Sequence, residues 1–443
     1  MANDMASMNS DDLTRGGRLL ILVTAFLGWL LAGTNMAIVP LAGRSAALGL
    51  RADASEGQVG VWFSAFTCAF LLGAAAGGLL FGAIGDRVGR ARAMGLSILC
   101  YSLFSGLGYF VQTPGQFWLL RFLACLGIGG VWPNGVALAS EAWSEVSRPL
   151  LSGLIGTAAN LGFMVLAVLA MIWPISPESW RWVLLVGASP WPIGLFVLLA
   201  VPESKLWLNT RKNQGMRVSA TTKTRRDFGN FNTTPRRSAI AEVFRPPLLK
   251  LTLIGICLGA VPLMGNWGGA NWLVPWSGQV GQAEGMDRLK AWTQWSKSGG
   301  AAVGSLLGGW LASQFGRRKT YFIVSLVTLG ISNYIFWRLR PGEEHFHYWV
   351  GAVGFFGTIY FGWLPLYLPE LFPTSVRATG SGVTFNFGRI ATAVGVLLAG
   401  QLMAAFGGDY ARMGRVTCWV YLLGMIVICF APDTSKKRMN AES

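Results

Sequence analysis

Gly82-Ala-Ile-Gly-Asp-Arg-Val-Gly-Arg-Ala-Arg92 is a tight, charged stretch between two long apolar runs, 59–81 before it and 93–111 after it. A short charged turn joining two runs of membrane length predicts a hairpin between transmembrane helices, its arginines held at the cytoplasmic face. A degraded copy, Gly309-Trp-Leu-Ala-Ser-Gln-Phe-Gly-Arg-Arg-Lys319, follows 227 residues later, about half the length of the 443-residue chain. The hairpin and its copy suggest a duplicated membrane protein.

Composition agrees. The chain is 53% hydrophobic and 13% charged, whereas a soluble domain carries about 25% charged residues. Apolar runs of about 20 residues cross a hydrocarbon core of about 30 Å as helix. Twelve are present, at roughly 18–42, 59–81, 93–111, 117–140, 150–174, 182–202, 249–273, 290–312, 320–339, 348–369, 379–403 and 413–431. The expected fold is therefore an all-α polytopic membrane protein with twelve transmembrane helices in two pseudo-symmetric six-helix bundles. The first run has no small-residue cleavage site, so it reads as an anchor rather than a removed signal.

The formal net charge is +16. With both termini inside, 24 Lys and Arg fall on cytoplasmic segments and 10 on the opposite side. This bias is the one that orients membrane proteins and meets anionic lipid. It argues against nucleic acid, because the basic segments lack the interleaved aromatics of single-strand binding. All six cysteines fall in helices, and His345 and His347 have no supporting ligand cluster. No disulfide framework, metal or cofactor is expected. The sequon at Asn232 falls in a cytoplasmic loop, so a bacterial inner membrane is the expected location.

Residues 1–16 read as a polar tail, 17–203 as a first six-helix bundle, 204–248 as a basic linker, 249–432 as a second bundle and 433–443 as a tail. A second repeat supports the duplication. Glu141-Ala-Trp-Ser-Glu-Val-Ser-Arg148 precedes Gly153, and Glu370-Leu-Phe-Pro-Thr-Ser-Val-Arg377 precedes Gly382, with equal internal spacings and an offset of 229. Parallel halves of this kind place a substrate site near the midplane between them.

The hairpin pattern Gly-x-x-x-Asp-Arg-x-Gly-Arg resembles the signature loop of the major facilitator superfamily. Arg121-Phe-Leu with Gly127-Ile-Gly-Gly130, Val201-Pro-Glu-Ser204 and Pro369-Glu-Leu-Phe-Pro-Thr-Ser-Val-Arg-Ala-Thr-Gly380 extend the likeness over nearly the whole chain. The chain is similar to the metabolite branch, near sialate permeases, aromatic-acid symporters and sugar porters. The resemblance implies a monomeric secondary carrier for a small polar metabolite, an organic or sugar acid. It also implies that Asp86 latches onto the start of helix eleven, in a charge network with Arg87, Arg90, Glu141, Arg148, Glu370 and Arg377. In the second copy Ser313 replaces the acid and Gln314 the base.

An ionised side chain inside a membrane helix costs about 2.5–3.5 kcal/mol on insertion scales, so it marks a functional hypothesis. Arg389 lies about ten residues into helix eleven, and its planar fork suits carboxylate or phosphate. Backbone carbonyls or a polar helix neighbour are the competing partners. Asn160 is its counterpart under the 229 offset. Arg121, Asn35, Trp132 and Lys297 are further candidates. Asn266-Trp-Gly-Gly-Ala-Asn-Trp272 adds Asn266, Trp267, Asn271 and Trp272 where helix seven could break.

Proton-coupled relatives place carboxylates on helices one and four. Here those stretches read Ala32-Gly-Thr-Asn35 and Gly129-Gly-Val-Trp132, with no acid, and Cys125 replaces a usual glycine. Transport is therefore not expected to couple to protons through those carboxylates. A transporter-like sensor that binds without turnover is the alternative. A soluble enzyme is excluded by hydropathy, and no nucleotide motif is present to power a pump. The unequal hairpins give a test: Asp86→Asn should shift the protein away from its cytoplasm-closed state while Ser313→Ala leaves it in place, read as cysteine accessibility from each face.

Overall fold

The computed structural model describes residues 13–146, 148–209, 239–373 and 376–434. Most of the basic linker, the Asn232 sequon and most of both tails lie outside the described residues. Hydrocarbon offers no partner to a free N–H or C=O, so each apolar run pairs its own backbone as helix. Among the described residues twelve long helical segments result, beside a short helix at Ala239–Val243: α1 (Arg15–Leu50), α2 (Glu56–Val88), α3 (Arg90–Phe110), α4 (Pro114–Ala142), α5 (Arg148–Ile172), α6 (Trp182–Ala200), α7 (Leu249–Glu284), α8 (Leu289–Phe315), α9 (Arg317–Arg338), α10 (Phe346–Ile359, continued by Leu364–Glu370), α11 (Arg377–Ala405) and α12 (Tyr410–Phe430). Ten are long and apolar enough to cross a bilayer unaided. The other two are α8, which carries Lys290 and Lys297, and α10, which is interrupted by a tight turn at Tyr360–Gly362.

Several helices outrun their apolar stretches because polar caps extend them. Ser55 with Gln58 and Thr113 with Gln116 form reciprocal capping boxes that start α2 and α4. The α2 helix continues through the charged hairpin to Val88 and stops at Gly89, where φ is 113°. Gly316 does the same between α8 and α9 with φ 85°. Both hairpin copies thus spend a glycine on a backbone shape that other residues avoid.

The pairings repeat between halves. In the first half α2 packs on α4, α1 on α5 and α3 on α6; in the second α8 packs on α10, α7 on α11 and α9 on α12. The halves meet through α2 against α11 and α5 against α8. Glycine sets the closest of these approaches. A Cβ at Gly73 or Gly77 would collide with the carbonyls of Phe122 and Leu126 on α4, and one at Gly300, Gly304 or Gly308 with those of Gly351, Phe355 and Ile359 on α10. Such small-residue faces let membrane helices associate by backbone contact. Gly82, by contrast, faces open space. Gly304→Leu should therefore cost about 2–3 kcal/mol by overpacking, seen as a lower Tm in detergent, whereas Gly82→Ala should leave the Tm in place.

Candidate functional site

The backbone breaks at matching places in the two halves. The α1 helix is interrupted at Ala37, one turn before Pro40, whose missing N–H leaves the Met36 carbonyl without its helical donor. At the corresponding point α7 widens into a π-turn over Met264–Gly269 and tightens into a 3₁₀ turn over Ala270–Trp272. Broken helices in corresponding positions point to a binding site at the interface of the halves.

A cavity of about 210 Å³ lies there. Its polar lining includes Asn160 of α5, Asn266 and Asn271 of α7, Gln294, Lys297, Ser298 and Ser305 of α8, Thr358 of α10 and Arg389 of α11. Aromatic rings supply much of the rest. Trp267 lies tilted against Phe70, with centroids 4.3 Å apart, and near Phe163 at 6.4 Å. Trp132 packs on Trp29 at 5.0 Å. Among the described lining residues there is no Asp, Glu or His.

Arg389 reaches across the interface. Its Nη1 donates to the Ala74 carbonyl of α2 at 3.3 Å, and its guanidinium sits 4.9 Å from the Phe385 ring. The fork has further donors to offer the cavity. Asn160 also crosses, donating to Ser305 Oγ at 3.3 Å and the Ala301 carbonyl at 3.4 Å. Lys297 is 6% exposed and donates to Asn271 Oδ1. Gln294 Nε2 donates to Ser298 Oγ at 2.7 Å, while its buried Oε1 has no partner.

Three candidates lie elsewhere. Arg121 Nη1 donates to Asn35 Oδ1 at 2.8 Å and its Nη2 to the Asn35 carbonyl at 3.1 Å. Asn35 in turn donates to Ser105 Oγ and the Gly187 carbonyl. Arg121 and Asn35 are therefore spent on tying α1, α3, α4 and α6 together, and neither lines the cavity. Trp272 is fully buried against Phe63, 4.7 Å between centroids, and near Tyr410 at 6.0 Å. It packs α7 and α12 against α2 instead of facing the cavity. The sequence reading missed Trp29, Phe70, Phe163 and Gln294, whose residue types are too common in apolar helices to stand out.

The halves are joined at the end away from the termini. Arg44 of α1 pairs with Glu56 of α2 and donates to Gln282 of α7 at 2.9 Å. Tyr410 of α12 donates to Glu56 at 3.4 Å, and Lys290 of α8 donates to Ser45 at 2.9 Å and to the Ile175 carbonyl. At the end bearing the termini the helix faces are more open. Gly82 on α2, Gly153 on α5 and Gly382 on α11 each face space with no atom within 4 Å of a Cβ position.

Among the described residues, three ion pairs at that end each lie within a half. Asp86 bonds Arg90, whose Nε is 3.7 Å from Glu141, and Arg317 is 3.2 Å from Glu370. Glu203 caps α3, accepting from the backbone N–H of Arg90 at 2.7 Å and of Ala91 at 3.1 Å, a role its motif did not reveal. Among the described residues Asp86 is thus paired inside its own half, across the turn that follows α2. Arg87 lies in the last turn of α2, and Arg377 donates to the Phe372 carbonyl at 3.5 Å. Arg148 opens α5, and its side chain lies outside the described residues.

The family model described as Major Facilitator Superfamily matches residues 20–396. A Bacillus subtilis (strain 168) protein provisionally named a niacin/nicotinamide transporter is 28% identical over 94% of this chain and 96% of its own. The cis,cis-muconate transport protein of Acinetobacter baylyi is 28% identical over 82% of this chain and 83% of its own. The xylose transporter of E. coli, solved in a partially occluded inward-open conformation, superposes with a TM-score of 0.70 at 17% identity, covering 96% of this chain and 100% of that one. With the family model matching residues 20–396, the chain belongs to the major facilitator superfamily as an integral, multi-pass membrane transporter of metabolites.

Proposed function

We propose that the protein is a secondary carrier for a small planar organic acid, working by alternating access, with Arg389 as the carboxylate anchor. The observation that carries this reading is Arg389 itself. It sits in the cavity between the halves, steadied by one carbonyl and one ring, with donors left over and no acid among the described lining residues. A guanidinium in that setting favours a carboxylate held through paired hydrogen bonds. The rings of Trp267, Phe70 and Phe163 suit a flat, unsaturated body better than a sugar. The relatives named for niacin and for cis,cis-muconate support the same class.

Alternating access is supported by the unequal ends. The seal around Glu56 and Lys290 closes one end while the end bearing the termini is splayed. The excess of Lys and Arg there orients that end to the cytoplasm, in a bacterial inner membrane, with the monomer as the transporting unit. In the opposite state the Glu56 and Lys290 contacts open and Asp86 meets the start of α11.

Counterflow in proteoliposomes tests the carrier reading. Vesicles preloaded with unlabelled aromatic carboxylate should accumulate labelled carboxylate, whereas saturable binding without exchange would identify a sensor. Arg389→Ala should lower carboxylate affinity at least tenfold, about 1.5–3 kcal/mol for charge-assisted hydrogen bonds, in a thermal-shift titration of purified protein. Equal shifts in both proteins remove Arg389 from the site. An imposed pH gradient should not by itself drive concentrative uptake, because the acids that carry protons in related carriers are absent; accumulation driven by that gradient alone would refute this.

A further inference from the structure

We infer that the cavity is built for a dianion: a planar dicarboxylate bound at both ends, one carboxylate at Arg389 and the other at Lys297. The inference rests on the carboxylate reading of Arg389 and extends it to a second pole.

The reason is charge balance. Two cations line one cavity, and none of its described lining residues is an acid. Lys297 is almost wholly buried, and its hydrogen-bond partner, Asn271 Oδ1, is neutral. An ammonium offers three donors, so two remain after that bond. A buried charge that no opposite charge meets is costly, and more so in a membrane; Arg121 and Lys290 offset that cost with at least two bonds each to neutral partners, whereas Lys297 has one and faces the cavity. One monocarboxylate answers only one of the two cations, whereas a dicarboxylate answers both.

The two poles also stand apart. Lys297 lies eight residues from Leu289, where α8 starts at the sealed end, and Arg389 lies twelve residues from Arg377, where α11 starts at the open end. The two helices are of similar length, 27 and 29 residues. At a rise of about 1.5 Å per residue, Lys297 sits roughly 10 Å nearer the sealed end than Arg389. Two separate carboxylates joined by a flat body suit that arrangement, and the Trp267, Phe70 and Phe163 rings offer that body an apolar wall. Gln294 Oε1, unpartnered in the same wall, calls for a donor and so favours a hydroxyl at that end. Its cost is the smaller one: a water satisfies a carbonyl, but no water neutralises an ammonium.

The test is calorimetric titration of purified full-length protein with matched pairs, terephthalate against benzoate and trans,trans-muconate against sorbate. Wild type should bind each dicarboxylate at least tenfold more tightly than its monocarboxylate partner. Lys297→Met should collapse that ratio to about one, weakening the dicarboxylates at least tenfold more than the monocarboxylates, and Lys297→Arg should restore the preference. The inference is overturned if wild type shows no preference while benzoate binding still depends on Arg389, or if Lys297→Met keeps the wild-type ratio. Preference for 4-hydroxybenzoate over terephthalate would likewise overturn it in favour of a hydroxyl at the second pole. Failure of every carboxylate to bind would instead bring down the carboxylate reading itself. Should Lys297→Met not fold, Lys297→Gln and the wild-type ratios decide the matter.

Discussion

A charge inside hydrocarbon has to be answered, and the way each one is answered divides this molecule into scaffold and site. Arg121 is answered at both Nη groups of its fork by Asn35, and the pair holds four helices of the first half in register. Arg389 is answered by one carbonyl and the face of a ring. Lys297 is answered by a single amide oxygen. The same cost of desolvation acts on all three. It makes the first a structural tie and leaves the other two with donors turned to a cavity.

The second constraint is how closely backbones must approach for two bundles to move as bodies. Glycine faces weld α2 to α4 and α8 to α10. Between the halves, α2 meets α11 and α5 meets α8 through a different set of contacts, with Gly57 and Gly60 near Ala404 and Met403 toward the sealed end and open space beside Gly82 and Gly382 at the other. Rigid contacts within each half and graded contacts between halves are the mechanical conditions for rocking about a central site.

Much of this was legible beforehand. Apolar run lengths, the two hairpin copies and the 229-residue offset suffice for twelve helices in two like halves, because hydrocarbon leaves the backbone few alternatives. The distortion of α7 could be read from Asn266-Trp-Gly-Gly-Ala-Asn-Trp272, and Asn160 and Arg389 from their shared depth. Direction was harder. Whether Arg121 faces a ligand or Asn35 depends on helix rotation, which a one-dimensional pattern constrains poorly when the helix is apolar all round. Trp272 and Trp267 are five residues apart in the same motif, yet the π-turn between them sends one to the seal and the other to the cavity. The pairing of Asp86 with Arg90 was likewise open, because the motif supplies three arginines and leaves the choice of partner to the turn.

The seal at Arg44, Glu56, Gln282, Tyr410, Ser45 and Lys290 has a consequence for apparent affinity. Under the proposed alternating access, these six polar groups bias the empty protein against the form accessible from the sealed side, which is then a minority of the molecules. A ligand arriving from that side binds only that minority, and its observed dissociation constant is the intrinsic one divided by the minority's fraction. The same cavity, with the same residues, then has two different half-saturation concentrations, one for each face of the membrane. Where the ligand has the same intrinsic affinity for both forms, their ratio reports the balance between the seal and the contacts that replace it.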